Sequence, residues 1–141
     1  MNGSCVFFHS PPYTSGTIHG PHTSMQWPIF KDCGKPGSGC RVDAVVSGDN
    51  HVYERIERDG IVYFTNGLAG GWPPYDCKAE FGGANDPASK ICLGMKSFGQ
   101  TNSGAQRVTV KRTGGTSELR FEMIDIAGKT WDTKTLQKSM P

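Results

Sequence analysis

Two histidines follow apolar runs in this chain. His9 comes straight after "SCVFF" (4–8), in "FFHSPPY", and His51 ends "VDAVVSGDNH" (42–51) beside Asp49 and Asn50. Imidazole and carboxylate suit Zn, Fe and Mn without any thiolate. An apolar strand that stops at Ser47-Gly48 and then delivers Asp, Asn and His therefore presents a loop edge fit for a metal ion or a phosphate. In open sheets of parallel strands, ligands sit beyond the carboxyl ends of the strands. If 5–8 and 42–47 are parallel neighbours, His9, Asp49 and His51 meet in one crevice, and the connection is long enough for a crossover.

Tyr53, Glu54 and Arg55 follow His51. They can orient it through hydrogen bonds. On strand alternation alone, Tyr53 packs and Glu54 and Arg55 are solvated. Metal-free nucleophilic hydrolysis would need a nucleophile with a base beside it. Ser10 follows His9, but neighbours on an extended chain point to opposite faces.

The elements that must carry these residues are mostly strands. The run 4–8 reads as a strand buried on both faces, stopped by Pro11 and Pro12. Ser24 is a plausible N-cap for a short helix over 24–32, limited by Pro28. The run 42–47 is a second buried strand. Residues 52–58 alternate, Asp59-Gly60 is a hairpin turn, and 61–67 is the partner strand. The stretch 67–104 has little periodicity and is too long for a passive loop. Beyond it, 106–112, 117–126 and 130–136 form an antiparallel three-strand meander.

The chain has 141 residues, with 15 basic and 13 acidic side chains, a near balance that gives no reason to expect a nucleic-acid partner. No apolar run approaches the ~20 residues of a membrane span, and no signal-peptide pattern is visible at Met1. The cysteine spacings fit no zinc pattern. Cys33 and Cys40 flank one loop, and Cys77 and Cys92 flank another. Two stapling disulfides with Cys5 buried is one account; five free thiols is the other.

"FFHSPPYTSGTIHG", "MQWPIF", "DAVVSGDNHVYERI" and "GIVYFTNGLAGG" occur in that order. Together they resemble the C-terminal half of calcineurin-like metallophosphoesterases, in the purple acid phosphatase-like branch, over roughly residues 4–137. The resemblance implies an α/β fold: the C-terminal part of a four-layer α/β/β/α sandwich, mostly β-strands with long loops and few helices. Residues 1–141 would be one partial domain, with metal-ligand loops on core strands in 1–66, a long loop in 67–104 and closing antiparallel strands in 105–137.

By the same resemblance, His9 and His51 are metal ligands. Asp49 stands where the family has the first His of Gly-His-x-His. His19 lies where a pocket histidine contacts phosphate or protonates the leaving group, while His22 reads as a solvated loop residue. Asn50, Tyr53, Glu54 and Arg55 fall beside the substrate and ligands. Asn66-Gly67 and Gly70-Gly71 resemble the family's loop beside the pocket, while Trp72–Tyr75 read either as a pocket wall or as a cover of the sheet.

The implied cofactor is Fe, Zn or Mn, as one ion or none in this chain. The implied activity is phosphatase or phosphodiesterase action on a small phosphoester. The family's N-terminal motifs, including the bridging aspartate that spaces two ions ~3.5–4 Å apart, do not occur here. That implies a half-domain, partnered by a missing N-terminal half or a second copy, or else a non-catalytic remnant serving structure, assembly or weak metal binding. The branch and the cysteine pairs favour a secreted or periplasmic location.

Overall fold

The protein is described from a computed structural model covering residues 4–16, 18–23, 32–33, 35, 37, 41–70, 75–77, 89–94 and 103–139. Two glycine-bearing turns set much of its geometry. Asp59 and Gly60 both take positive φ (52° and 78°), as a type I′ turn requires. They join β3 (Tyr53–Arg58) to β4 (Ile61–Asn66) in strict antiparallel register. Gly114 and Gly115 do the same between β6 (Gly104–Thr113) and β7 (Thr116–Asp125). β8 (Thr130–Ser139) then pairs with β7 to complete a three-stranded sheet, β6-β7-β8.

The other sheet has the order β1-β2-β4-β3-β5, with β1 (Cys5–Phe7), β2 (Ala44–Ser47) and β5 (Ser89–Leu93) added to the β3–β4 hairpin. β1 and β2 are parallel neighbours, as anticipated, and β2 is also parallel to β4. β5 lies inside the stretch taken as a long loop. Its five residues are too few to display a period.

The two sheets pack face to face. Ala44, Tyr53, Val62 and Phe64 of one, with Leu68 from the turn after β4, meet Leu119, Phe121 and Met123 of the other in a single core cluster. Phe64 and Phe121 stack at its centre, ring centroids 4.6 Å apart. Such a ring pair adds about 0.5–1.5 kcal/mol beyond its area burial. Ion pairs fasten the rim: Lys134 Nζ lies 2.8 Å from Glu57 Oε1, and Lys138 reaches Asp43.

This arrangement overturns the expected four-layer α/β/β/α architecture. The described residues form two sheets, with helical backbone only at Thr23 and Asp32–Cys33. No described helix covers the outer face of the five-stranded sheet. There, Phe8 and Tyr13, from the chain leaving β1, pack on Val45, Ile56, Ile61 and Tyr63. Tyr13 meets Tyr63 edge-on at 4.8 Å. β1 also departs from its expected burial on both faces. It is an edge strand whose inward Phe7 is 65% exposed, although Cys5 touches the core. The expected helix over 24–32 lies, apart from Asp32, outside the described residues.

Cys77 and Cys92 are joined, and Cys33 is also disulfide-bonded. Its expected partner, Cys40, lies outside the described residues. Cys5 carries a free thiol that burial pushes up to about 11.

Candidate functional site

The strand order creates the site. β2 and β3 are consecutive in sequence, yet β4 lies between them in the sheet. Residues 48–52 must therefore cross the end of β4, a span of two strand spacings or ~9.5 Å. The crossing is tight. Asn50 N–H donates to Gly48 O, and Val52 N–H donates to Asn50 O, each at 2.8 Å. Gly67, where the chain leaves β4, donates to Val52 O at 3.2 Å. A Cβ at Gly67 would overlap the Asn50 carbonyl, so no other residue fits beneath the crossing. Asp49 sits at φ 64°, in the left-handed region that Asp tolerates better than most residues.

The crossing brings Asp49 to His9. Gly48 N–H donates to His9 O at 2.9 Å, fixing the two strand ends side by side. His9 Nε2 then lies 3.5 Å from Asp49 Oδ1. Two donors bonded ~2.1 Å from a tetrahedral ion stand about 3.4 Å apart along the tetrahedron's edge. The separation is long for a hydrogen bond and right for two adjacent corners of such a site. The His9 side chain is 82% exposed, which leaves it open to solutes, while that of Asp49 is 20% exposed.

His51 follows Asp49 by two residues. Its ring stacks on Tyr75, centroids 4.2 Å apart and planes within 16°. Stacking covers the face of an imidazole and leaves its nitrogens along the ring edge. His19 lies on the same aromatic ring, tilted, at 6.0 Å. Asn50 is buried beneath and holds the His19 loop: its Oδ1 accepts from His19 N–H at 3.2 Å. Its Nδ2 has no hydrogen-bond partner among the described residues. Gly16 presses on this amide so closely that a Cβ would overlap it. Among the described residues, no three His, Cys, Asp or Glu side chains are gathered as one ligand group. His9 and Asp49 thus form the assembled pair, and His51, two residues beyond Asp49, is not gathered with them.

Glu54 does not touch solvent, contrary to the alternation reading. It is 1% exposed and takes two bonds from Ser15, from N–H to Oε2 and from Oγ–H to Oε1, both 2.7 Å. These bonds pin the loop that carries His19. Ser15 Oγ also lies 3.3 Å from Cys92 Sγ, and Gly16 bridges to Cys77. Tyr53 and Arg55 occupy the opposite face of β3. Tyr53 O–H donates to Asp132 Oδ2 at 2.9 Å and Arg55 Nε donates to the same oxygen at 2.8 Å. Burial, then the neighbouring Asp132 charge, raise the Tyr53 phenol well above its ordinary range. Both residues join the two sheets through Asp132.

Sequence reasoning had placed Tyr75 only in a pocket wall or sheet cover and had no role for Ser15. The signal for Tyr75 was its closeness to Cys77, a stapling candidate. For Ser15 there was none, because its partner Glu54 is distant in sequence. No family model matches the chain, and no curated protein matches it.

Proposed function

We propose that the strand-end crevice takes one Zn, Fe or Mn ion on His9 and Asp49, with His51 as the adjacent third donor. On this reading the chain is, or is part of, a metal-dependent phosphoester hydrolase of the calcineurin-like, purple acid phosphatase-like kind. The observation that carries it is the His9–Asp49 pair. Two donors from distant parts of the sequence stand 3.5 Å apart at the ends of adjacent parallel strands. When bound, an ion of this class supplies Lewis acidity and activates water. The chain's own residues do the rest. Exposed His9 admits the substrate, Asn50 anchors the His19 backbone, and His19 donates a proton to the leaving-group oxygen.

A second reading is a non-catalytic remnant that binds metal weakly or serves assembly. It is favoured by the ligand pair standing, among the described residues, without a third member in the same group.

Elemental analysis of the purified chain, its His9→Ala variant and its Asp49→Asn variant tests the first reading. Phosphatase and phosphodiesterase assays on p-nitrophenyl esters accompany it. The expected result is one ion per chain, lost in both variants, with hydrolysis that follows the ion. Metal without hydrolysis transfers support to the second reading. Neither metal nor hydrolysis, even after the ions are added back, rejects the first.

A further inference from the structure

The Cys77–Cys92 disulfide lies within a chain of contacts that ends at His51. Tyr75, two residues before Cys77, stacks on the His51 ring, and Tyr75 N–H donates to His51 O at 2.8 Å. Cys77 bridges to Gly16, in the loop that carries His19. Cys92 sits on β5 directly opposite Glu54 of β3, the residue that clamps Ser15. Ser15 Oγ touches Cys92 Sγ itself at 3.3 Å. Gly94, two residues beyond, packs so closely on the Tyr75 carbonyl that a Cβ would overlap it. The segment carrying Tyr75 is thus held from both sides of the disulfide. Both cysteines are only half-buried, within reach of a small thiol.

We propose that Tyr75 is a positioning residue for His51, and that the Cys77–Cys92 disulfide is the latch that keeps it in place. Opening the latch needs a dithiol. Its thiolate attacks one sulfur, the other cysteine leaves as a thiolate, and the dithiol's second thiol then displaces the first cysteine. Two electrons pass to Cys77 and Cys92, which end as thiols, and the reductant ends as its own disulfide. Residues 75–77 then lose their covalent tie to β5, and the His51 ring loses the surface on which it stacks. The latch itself requires no metal. Its consequence for catalysis rests on the function proposed above.

The test is NMR of the metal-free chain at constant pH, following the His51 ring protons. In the oxidised chain, these lie upfield in the Tyr75 ring current and show Overhauser contacts to Tyr75. Adding dithiothreitol should abolish both. A Cys77→Ala/Cys92→Ala variant should match the reduced chain, separating this disulfide from that of Cys33. Tyr75→Leu should match it too, with the disulfide intact, while Tyr75→Phe should restore the wild-type pattern. Unchanged amide signals from β6–β8 show that the variants remain folded. If the double variant fails to fold, Tyr75→Leu and Tyr75→Phe decide alone.

Persistence of the Tyr75–His51 contacts after reduction would overturn the latch. Zn²⁺ titration gives the consequence: affinity should fall about tenfold or more on reduction and in Tyr75→Leu, as when other supports of a ligand histidine are lost. A tenfold gain would overturn the positioning role, since the stack would then be withholding His51. If no form binds Zn²⁺, Fe or Mn, the proposed function fails, and the NMR contacts still judge the latch.

Discussion

The three-stranded sheet and the strand-end crevice are built on opposite plans. In the sheet β6-β7-β8, every pairing joins sequence neighbours through a short turn. Its outward face carries salt-linked side chains such as Arg107 and Glu122, and its inward face carries Leu119, Phe121 and Met123. The crevice has no local pairing of this kind. Its contacts join Ser15 to Glu54, Asn50 to His19 and Tyr75 to His51, each between residues distant in sequence. The sheet is held by apolar area. The crevice is held by buried polar bonds and by glycines with no room for a side chain. The first plan tolerates shape change poorly, and the second tolerates loss of a hydrogen-bond partner poorly.

The largest effect should come from the apolar plan. Phe121→Ala removes the ring stacked on Phe64 and should cost about 3–5 kcal/mol, read as a fall in the denaturant midpoint. Because Phe121 belongs to both sheets' core, the crevice should melt with it in one transition. Two transitions would break the comparison by showing that the regions fold independently. Glu54→Ala tests the polar plan. It strands two Ser15 donors in a dry site and should cost about 3 kcal/mol. Hydrogen exchange should speed up in residues 14–20 before it does in β6–β8. A uniform speed-up would mean that the clamp supports the whole fold.

Asp132→Asn sharpens the boundary between the regions. It weakens the bonds from Tyr53 and Arg55 and should cost about 1–3 kcal/mol, while the His9–Asp49 pair and any Zn²⁺ affinity stay unchanged. Lost affinity would return Tyr53 and Arg55 to the site. The smallest effect is acid sensitivity. Burial pushes the Glu57 carboxyl up, but the hydrogen bond from Lys134 and the charges of Lys134 and Arg55 outweigh it and hold it below the ordinary value. Asp125 is held low chiefly by Trp131 Nε1–H, then by the Lys129 N–H. Both depressed carboxylates stabilise the fold above the unfolded carboxylate range, ~4, and that stability is lost as pH falls through their folded values. The melting temperature should therefore drop below about pH 4, with the rim and the β7–β8 turn opening first. A flat acid limb would count against these contacts.

The same contrast explains what could be read without coordinates. The meander was legible nearly to its ends, because strand alternation and Gly-Gly turns are local signals. The β3–β4 hairpin was legible through Asp59-Gly60 for the same reason. The parallel pairing of β1 with β2 followed from two apolar runs that each end in a polar loop. It brought His9 and Asp49 together, whereas His51, expected in the same crevice, is not gathered with them as a ligand group among the described residues. The layers did not follow, because one pattern of strands suits either helices or loops on a sheet's outer face. Nor did the tasks of Tyr53, Glu54 and Arg55, since alternation fixes opposite faces but not which face is dry. The Cys77–Cys92 staple was legible, but the stack of Tyr75 on His51 was not, because it joins residues far apart in sequence.

The passage of residues 48–52 over the end of β4 also has a kinetic consequence. The β3–β4 hairpin closes on two residues and can form alone. β4 can meet β2 only when that hairpin swings in as a unit, and the crossing is drawn taut at that moment. Asp49 and His51 are then expected to find their native neighbours after the rate-limiting step. Substitutions at Asp59-Gly60 should slow folding, while those at Asn50 or Gly67 should chiefly hasten unfolding.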